Sequence, residues 1–387
     1  MRNIMGKTAV VAVGYNRPEA IRELIDSVTQ AEYSGDEVDL VFSIDRGERQ
    51  NEIVKLAQET SWPNGEKIIR AYDERQGLRR HIIQCGDLTE KYDAVVVLED
   101  DLRVSKYFYS YVKHALEFSR GNDRIAGISL YKHLFHQGAG RFFEPDNNGY
   151  DAFLMQVAQS WGQCWSKEMW KPFKEWYLSN EDKDLSQGDL IPQYVSNWDS
   201  HSWLKYFMRY LAETDKYFIY PYIGLSTNCS EAGQHNSNTS NDYQIPLLNG
   251  PKSFVFPQIE DAVRYDAFFE RQGFEKLYGD LYPGGVILDF YGQRKDFREY
   301  RYACSTQRLP YKVAADVGLK FRPVERNFID NCSGSGAFIY DLQSPESVPG
   351  DNRVLLTRYD ARATAWRDLL RLTASEIKDA FKRKLGK

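Results

Sequence analysis

Residues 8–15, TAVVAVGY, form a continuous apolar run of strand length. A run without polar alternation marks a strand buried on both faces. The period then changes: Ile21, Leu24, Ile25 and Val28 recur at helical spacing behind Pro18, a residue suited to a first helical turn. The alternation repeats. VDLVFSID reads as a second strand, a helix is expected around NEIVKLAQET, then a short strand near EKIIRAY and a helix containing Leu78 to Leu88. YDAVVVLEDD closes the series as its most apolar strand. Such strand–helix repeats predict an α/β fold whose parallel sheet is covered on both faces and binds ligands at the carboxyl ends of its strands. Those ends are 14–17, 45–47 and 99–101, and all three are polar.

The pattern loosens between about 125 and 240, where Trp, Tyr and Gly are frequent and the elements short, as expected of an acceptor-binding region. Residues 231–250 are polar and rich in Gly, Asn and Ser. They read either as a surface loop or as a lid that orders over a ligand. His235 is the only histidine there; it would meet a diphosphate or metal on closure, or remain a plain surface residue. After about 270 the composition becomes more basic and irregular, which divides the chain into a main domain, 1–270, and a small C-terminal module, 271–387. The module ends in an amphipathic helix. Trp366, Leu370, Ile377, Phe381 and Leu385 fall near one face, while Lys378, Lys382, Arg383, Lys384 and Lys387 outnumber Glu376 and Asp379. That helix either docks on its own domain or lies on an anionic membrane surface.

Bulk composition narrows the classes. With 387 residues, 42% hydrophobic and 27% charged, the chain is globular rather than disordered. A net charge of −5 gives no electrostatic case for nucleic acid. Five scattered cysteines without a CxxC pair argue against a disulfide framework or structural zinc and suit a reducing cytoplasm. No apolar run approaches the roughly 20 residues of a spanning helix. The 26 Tyr and 8 Trp fit either an aromatic core or a surface that stacks on sugars or bases.

The strongest chemical signal is Glu99-Asp100-Asp101, three adjacent carboxylates directly after the best strand. Their repulsion calls for a cation, and hard oxygen ligands suit Mg²⁺ or Mn²⁺ shared with a substrate diphosphate. Arg17 and Asp45 end the first two strands, where a base and ribose would be held; each reads equally as a cap or an ion pair. Trp161-Gly162 would let a ring and a bare backbone approach a sugar, or simply pack the core. Asp199, between Trp198 and Trp203, is the choice for a general base, with Glu168 and Asp189 in reserve. The bland reading of Asp199 is an exposed acid ahead of a helix.

In order, VVAVGYNRPEAIRELIDSV, VFSIDRG, VVVLEDDLRVSKYFYSYV, AGISLY, SWGQCW, WDSHSW and GLSTNCSEAGQHN resemble the GT-A enzymes that attach β-1,2-linked N-acetylglucosamine to mannose. They are also similar to bacterial family-2-like glycosyltransferases of surface-polysaccharide pathways. The likeness spans roughly 8–240 and implies a GT-A fold, a Rossmann-like mixed sheet. It implies Asp101 as the metal ligand, Asp100 and Glu99 as donor contacts, and Arg17 and Asp45 at a uracil. It further places Arg80-His81 near the base and Asp199 as catalytic base. The family's W-D-D-W run here reads Trp198-Asp199-Ser200-His201-Ser202-Trp203, so the match at the base is incomplete.

The expectation is an inverting, Mn²⁺- or Mg²⁺-dependent transfer from a nucleotide sugar, UDP-sugar favoured by the resemblance, to a glycan hydroxyl. The acceptor would be lipid-linked at the inner face of the plasma membrane, met through the basic terminal helix. A sugar nucleotidyltransferase would share the metal and sheet but have a Gly-rich basic triphosphate loop, which GYNRPEA is not. A carbohydrate-binding protein would explain the aromatics but not the triple acid.

Overall fold

The computed structural model describes residues 6–185, 189–229, 242–274, 282–297, 299–347, 350–361 and 364–384. The chain divides into two compact units, Met1–Leu281 with Gln293–Arg298, and Tyr282–Gly292 with Glu299–Lys387.

The first unit begins with β1 (Thr8–Gly14), α1 (Pro18–Thr29), β2 (Val38–Ile44), α2 (Gln50–Glu59), β3 (Lys67–Ala71), α3 (Leu78–Gly86) and β4 (Ala94–Glu99). It continues through β5 (Leu102–Val104), α4 (Phe108–Ser119), β6 (Ile125–Ser129), β7 (Phe135–His136), β8 (Arg141–Phe142), β9 (Ala152–Met155) and β10 (Gln163–Ser166). Last come α5 (Lys167–Leu178), α6 (Gln193–Ser196), α7 (Trp203–Thr214), β11 (Tyr217–Pro221), β12 (Ser226–Asn228) and β13 (Arg264–Tyr265).

A nine-stranded sheet runs β13-β9-β11-β6-β10-β4-β1-β2-β3. Its β3-β2-β1-β4 part is parallel, in keeping with the apolar runs of β1 and β4, whose Val95, Val96, Val97 and Leu98 are fully buried; β3, KIIRA, closes the edge half-buried. The expected α1 forms with Pro18 in its first turn and buries Ile21, Leu24, Ile25 and Val28. Beyond β4 the sheet is mixed, because β10 runs antiparallel between β4 and β6.

Chain order sets the position of the site. From β1 the chain moves to β2 and β3 on one side, then crosses to β4 on the other. The two directions part between β1 and β4, and ligands in open α/β sheets occupy the crevice at the carboxyl ends of such a pair. Register aligns Gly14 with Ile44 and Val13 with Glu99, so Asp45, Arg17 and the acids share one sheet edge.

The second unit holds β14 (Val286–Asp289), β15 (Tyr302–Ser305), β16 (Tyr311–Val317), α8 (Val324–Ile329), β17 (Ala337–Pro345), α9 (Arg353–Asp360) and α10 (Trp366–Lys384). Its sheet order is β14-β15-β17-β16, around a core containing Leu288, Cys304, Phe328, Phe338 and Tyr340. Trp366, Leu370, Ile377 and Phe381 of α10 are all exposed.

Candidate active site

Arg17 and the β4 acids meet across the β1/β4 crevice. The Arg17 guanidinium pairs with Asp100 through two nitrogens and lies 3.4 Å from Asp101 Oδ2. Burial opposes its charge, but Asp100 and Asp101 together raise the Arg17 pKa above its usual value. Burial pushes Asp100 up to about 6, against the pull of Arg17. Glu99 is raised well above the ordinary carboxylate range, by burial first and then by the charges of Asp101 and Asp100. Its Oε1 is buried and bonded by no described residue. Such an orphaned oxygen is costly unless a ligand donor or cation completes it.

This donor set fits a hard divalent ion. Among the described residues no three His, Cys, Asp or Glu groups converge to hold a metal by themselves. Mg²⁺-type sites commonly use one or two carboxylates and draw the remaining ligands from phosphate and water.

Asp45 stands at the same edge but is heavily engaged. Its Oδ1 accepts from Arg46 N and Gln76 N, both at 2.7 Å, and its Oδ2 from Gly77 N at 3.0 Å. These bonds fix the turn into α3. Gly77 takes φ +73° there, a left-handed conformation that glycine adopts without strain. The Arg80-His81 pair splits: Arg80 is exposed, whereas His81 is buried and shares a 2.8 Å hydrogen bond with Ser43 Oγ on β2. Burial lowers the His81 pKa to about 4, leaving the ring neutral at pH 7.

The neighbouring Arg79 was not singled out from the sequence, yet it bridges three segments. Its Nε donates to Tyr177 Oη, Nη1 to Ser200 O and Nη2 to Glu181 O, each at 2.8 Å, and its guanidinium lies 4.3 Å from the Tyr206 ring centre. A cleft of about 550 Å³ beside it is lined by Gln76, Gly77, Arg80, Ser200 and His201 among others. Arg79 thereby ties the turn held by Asp45 to the turn carrying Asp199. Adjacent arginines look alike in a sequence; only helical phase separates the one that faces inward.

Asp199 is exposed, and its Oδ1 accepts from His201 N at 2.7 Å, bracing the turn before α7. It lies outside the buried carboxylate cluster. Glu168, in the first turn of α5, and Asp189 are also exposed. His235 lies outside the described residues. Trp161 packs against Tyr131 and Tyr243, with ring centres 4.8 and 4.6 Å away. Gly162 has φ +94°, and a Cβ there would sit 3.0 Å from Ser226 Oγ and 3.3 Å from Leu130 Cβ. Cys229 N donates to Asp101 O at 2.7 Å, so the β5–β12 ribbon is anchored at the acids themselves.

No family model matches the chain. No curated protein matches its sequence. Among solved structures, the chain is similar to the mannosyltransferase PcManGT from Pyrobaculum calidifontis in complex with GDP-Man and Mn²⁺, at 15% identity and TM-score 0.31, over 43% of this chain and 46% of that one. It is similar to S. aureus TarS 1–349 in complex with UDP-GlcNAc, at 13% identity and TM-score 0.38, over 60% of each chain. Mouse xyloside xylosyltransferase 1 matches at 12% identity and TM-score 0.36, over 55% of this chain and 84% of that one. The chain thus spans about half of the mannosyltransferase and three fifths of TarS 1–349. Each likeness is partial.

Proposed function

We propose that the chain is a GT-A-type glycosyltransferase, inverting and dependent on Mn²⁺ or Mg²⁺, that moves a sugar from a nucleotide diphosphate, UDP favoured, to a glycan hydroxyl. The observation that carries this reading is the carboxylate cluster at the β1/β4 switch point, with Glu99 Oε1 lacking a partner among the described residues. Asp101 would hold the ion and Asp100 and Glu99 the ribose and donor sugar. A bound divalent cation supplies positive charge to the departing diphosphate.

The chain's own residues do the rest. Arg17 and Asp45 face the nucleoside, with Arg80 and the neutral His81 beside it, and Trp161-Gly162 closes the opposite flank. Asp199 takes the acceptor proton on Oδ2, which no described residue bonds, as the acceptor oxygen bonds the anomeric carbon and the diphosphate leaves with the old bond's electrons. Inversion turns an α-linked donor into a β-glycoside.

We place the enzyme in bacterial surface-polysaccharide synthesis, at the inner face of the plasma membrane, with a lipid-linked acceptor. No described helix is long and apolar enough to cross a membrane. The exposed α10 stripe, flanked by Arg367, Arg371 and Lys378, supports contact with anionic lipid through the accessory module. Leu370→Ser/Phe381→Ser should abolish sedimentation with phosphatidylglycerol vesicles; retained sedimentation rejects the contact.

The reaction is tested by calorimetry with UDP and by a nucleotide-sugar hydrolysis panel, each with and without Mn²⁺. Asp101→Ala should lose metal-dependent UDP binding, whereas Asp199→Asn should keep it and lose transfer. Equal loss of UDP affinity in both variants contradicts this division. Absence of metal-dependent UDP binding in the wild type rejects the reading in favour of a carbohydrate-binding protein.

A further inference from the structure

We propose that Gln163 is a positioning residue that steadies Glu99 from behind and so sets how firmly the sugar half of the donor is held. This rests on the glycosyltransferase reading, in which Glu99 contacts the donor sugar.

Gln163 is fully buried on β10, and among the described residues neither its Oε1 nor its Nε2 has a hydrogen-bond partner. An unsatisfied amide weakens a core where an apolar side chain of the same shape would not. Its place in the middle of the sheet therefore calls for a partner.

Register shows which partner. Gln163 stands opposite Val97 of β4 and Ser129 of β6. Residues opposite each other in an antiparallel ladder share a face, and so do alternate residues of one strand. Gln163, Trp165, Val97 and Glu99 therefore face the same side of the sheet. Trp165 identifies that side, since its ring centre lies 4.8 Å from that of Trp170 on α5 and 5.8 Å from that of Phe207 on α7. Burial above all raises the Cys85 thiol of α3, but Glu99 is among the acids that add to the rise, which puts its carboxyl beside that helix. Arg79 in turn joins α3 to α5. Ser129 is engaged with Tyr131 through both its hydroxyl donor and its acceptor. Glu99, two residues beyond Val97, is diagonal to Gln163, and long side chains reach across such a diagonal.

The unmet valences are complementary. On one side of Gln163 is Glu99 Oε1, buried and bonded by no described residue; on the other is Trp165 Nε1, also buried and without a described partner. An indole N–H can only donate. It turns the amide oxygen of Gln163 toward Trp165 and leaves the amide nitrogen for Glu99 Oε1. These bonds are not made in the structure. Hydrogen bonds at such sites are often long without substrate and tighten when it binds.

The arrangement leaves Glu99 free to act. A carboxylate oxygen has two lone pairs, so Oε1 bonded to Gln163 keeps one for the donor, and Oε2 keeps both. Tied at the back, the carboxylate meets the sugar hydroxyls at a fixed place; untied, it swivels. The nucleotide, held by other residues, is indifferent to this.

The experiment is a double-mutant cycle on the full chain. Wild type, Gln163→Met, Glu99→Gln and the double variant are titrated by calorimetry with UDP, UDP-glucose, UDP-galactose and UDP-N-acetylglucosamine in the presence of Mn²⁺. The quantity read is the affinity for each UDP-sugar relative to UDP in the same protein. For the sugar that wild type holds best, Gln163→Met should lower this ratio about tenfold, with UDP affinity unchanged and melting temperature equal or higher. Glu99→Gln should lower it at least as far, and the double variant no further, because Gln163 acts through Glu99. A merely structural role would shift UDP and the UDP-sugars together. If Gln163→Met melts early, Gln163→Leu repeats the measurement. A wild-type ratio in the Gln163 variants, or losses that multiply in the double variant, overturns the role while leaving the transferase standing. A wild type that binds UDP no better with Mn²⁺ than without rejects the transferase and the role with it.

Discussion

Replacing Arg17 with methionine removes the cation that the protein itself brings to its acid cluster. The Arg17 and Asp100 side chains are 27% and 8% exposed, so the pair is largely out of water. Breaking one side of a buried pair costs roughly 3–5 kcal/mol. The lower end applies here, because Asp100 with its pKa already near 6 takes up a proton when its partner is lost. For a unit of this size that is a fall in melting temperature of about 6 °C, at roughly 2 °C per kcal/mol. The pH dependence fixes the sign. A carboxyl whose folded pKa is raised contributes stability that is present at low pH and lost as pH rises through about 6. The deficit of Arg17→Met should therefore be larger at pH 8 than at pH 5.5. Adding Asp100→Asn should recover part of the loss, since the stranded charge is then gone. The assay is differential scanning calorimetry of four proteins (wild type, both single variants and the double) with and without Mn²⁺. Mn²⁺ should stabilise Arg17→Met more than wild type. A single variant melting within about 1 °C of wild type at pH 8, with the same response to Mn²⁺, would refute the argument.

Three further outcomes are expected. Burial lowers the pKa of His133 and His136 to about 3 and that of His81 to about 4, so their neutral forms stabilise the fold fully above pH 6.5 and lose this as pH falls. Each costs about 1.4 kcal/mol per pH unit below 6.5, while Asp100 and Glu99, raised in the fold, release protons on unfolding over the same range; in denaturant titrations at pH 7, 6 and 5 the wild type should therefore take up about two more protons than His133→Gln/His136→Gln, and identical profiles contradict it. Arg79→Lys keeps the charge but not the three directed bonds, so kcat should fall at least about tenfold with UDP affinity little changed, whereas wild-type kcat removes the tether. Gly162→Ala meets both a left-handed φ and Ser226, and should cost about 2 kcal/mol in urea unfolding; a neutral substitution would show the β10 entry to be plastic.

The sequence made the first four strands and three helices readable because β1 and β4 are almost wholly apolar, β2 and β3 keep apolar stretches between a few polar residues, and each helix has a clear 3.6 period. It marked the acids for the same reason: three charges after Val95–Leu98 stand out against their background. Beyond β4 the strands of the first unit shorten to five residues or fewer, and β9 and β10 run against β6 and β11 through pairings that no local period encodes. The engagement of Asp45 was equally hidden. Its three bonds come from backbone groups, one of them the next residue and two about thirty positions away, and backbone donors leave no trace in residue type. His81 illustrates the opposite problem. A histidine beside arginine invites a binding role, but helical phase turns it to Ser43 and the core. Arg79, two residues earlier, points toward α5 and the Asp199 turn.

On the proposed reading, the way Asp45 is occupied limits how sharply a base can be read. A carboxylate has about four lone-pair sites, and three of them are filled by Arg46, Gln76 and Gly77. One imide N–H can still be received, and a single charge-assisted hydrogen bond is worth roughly 1.5–3 kcal/mol. Selection of uracil over cytosine at this point would then stop at about tenfold to a hundredfold, and Asp45→Asn would disturb the α3 turn as much as the preference.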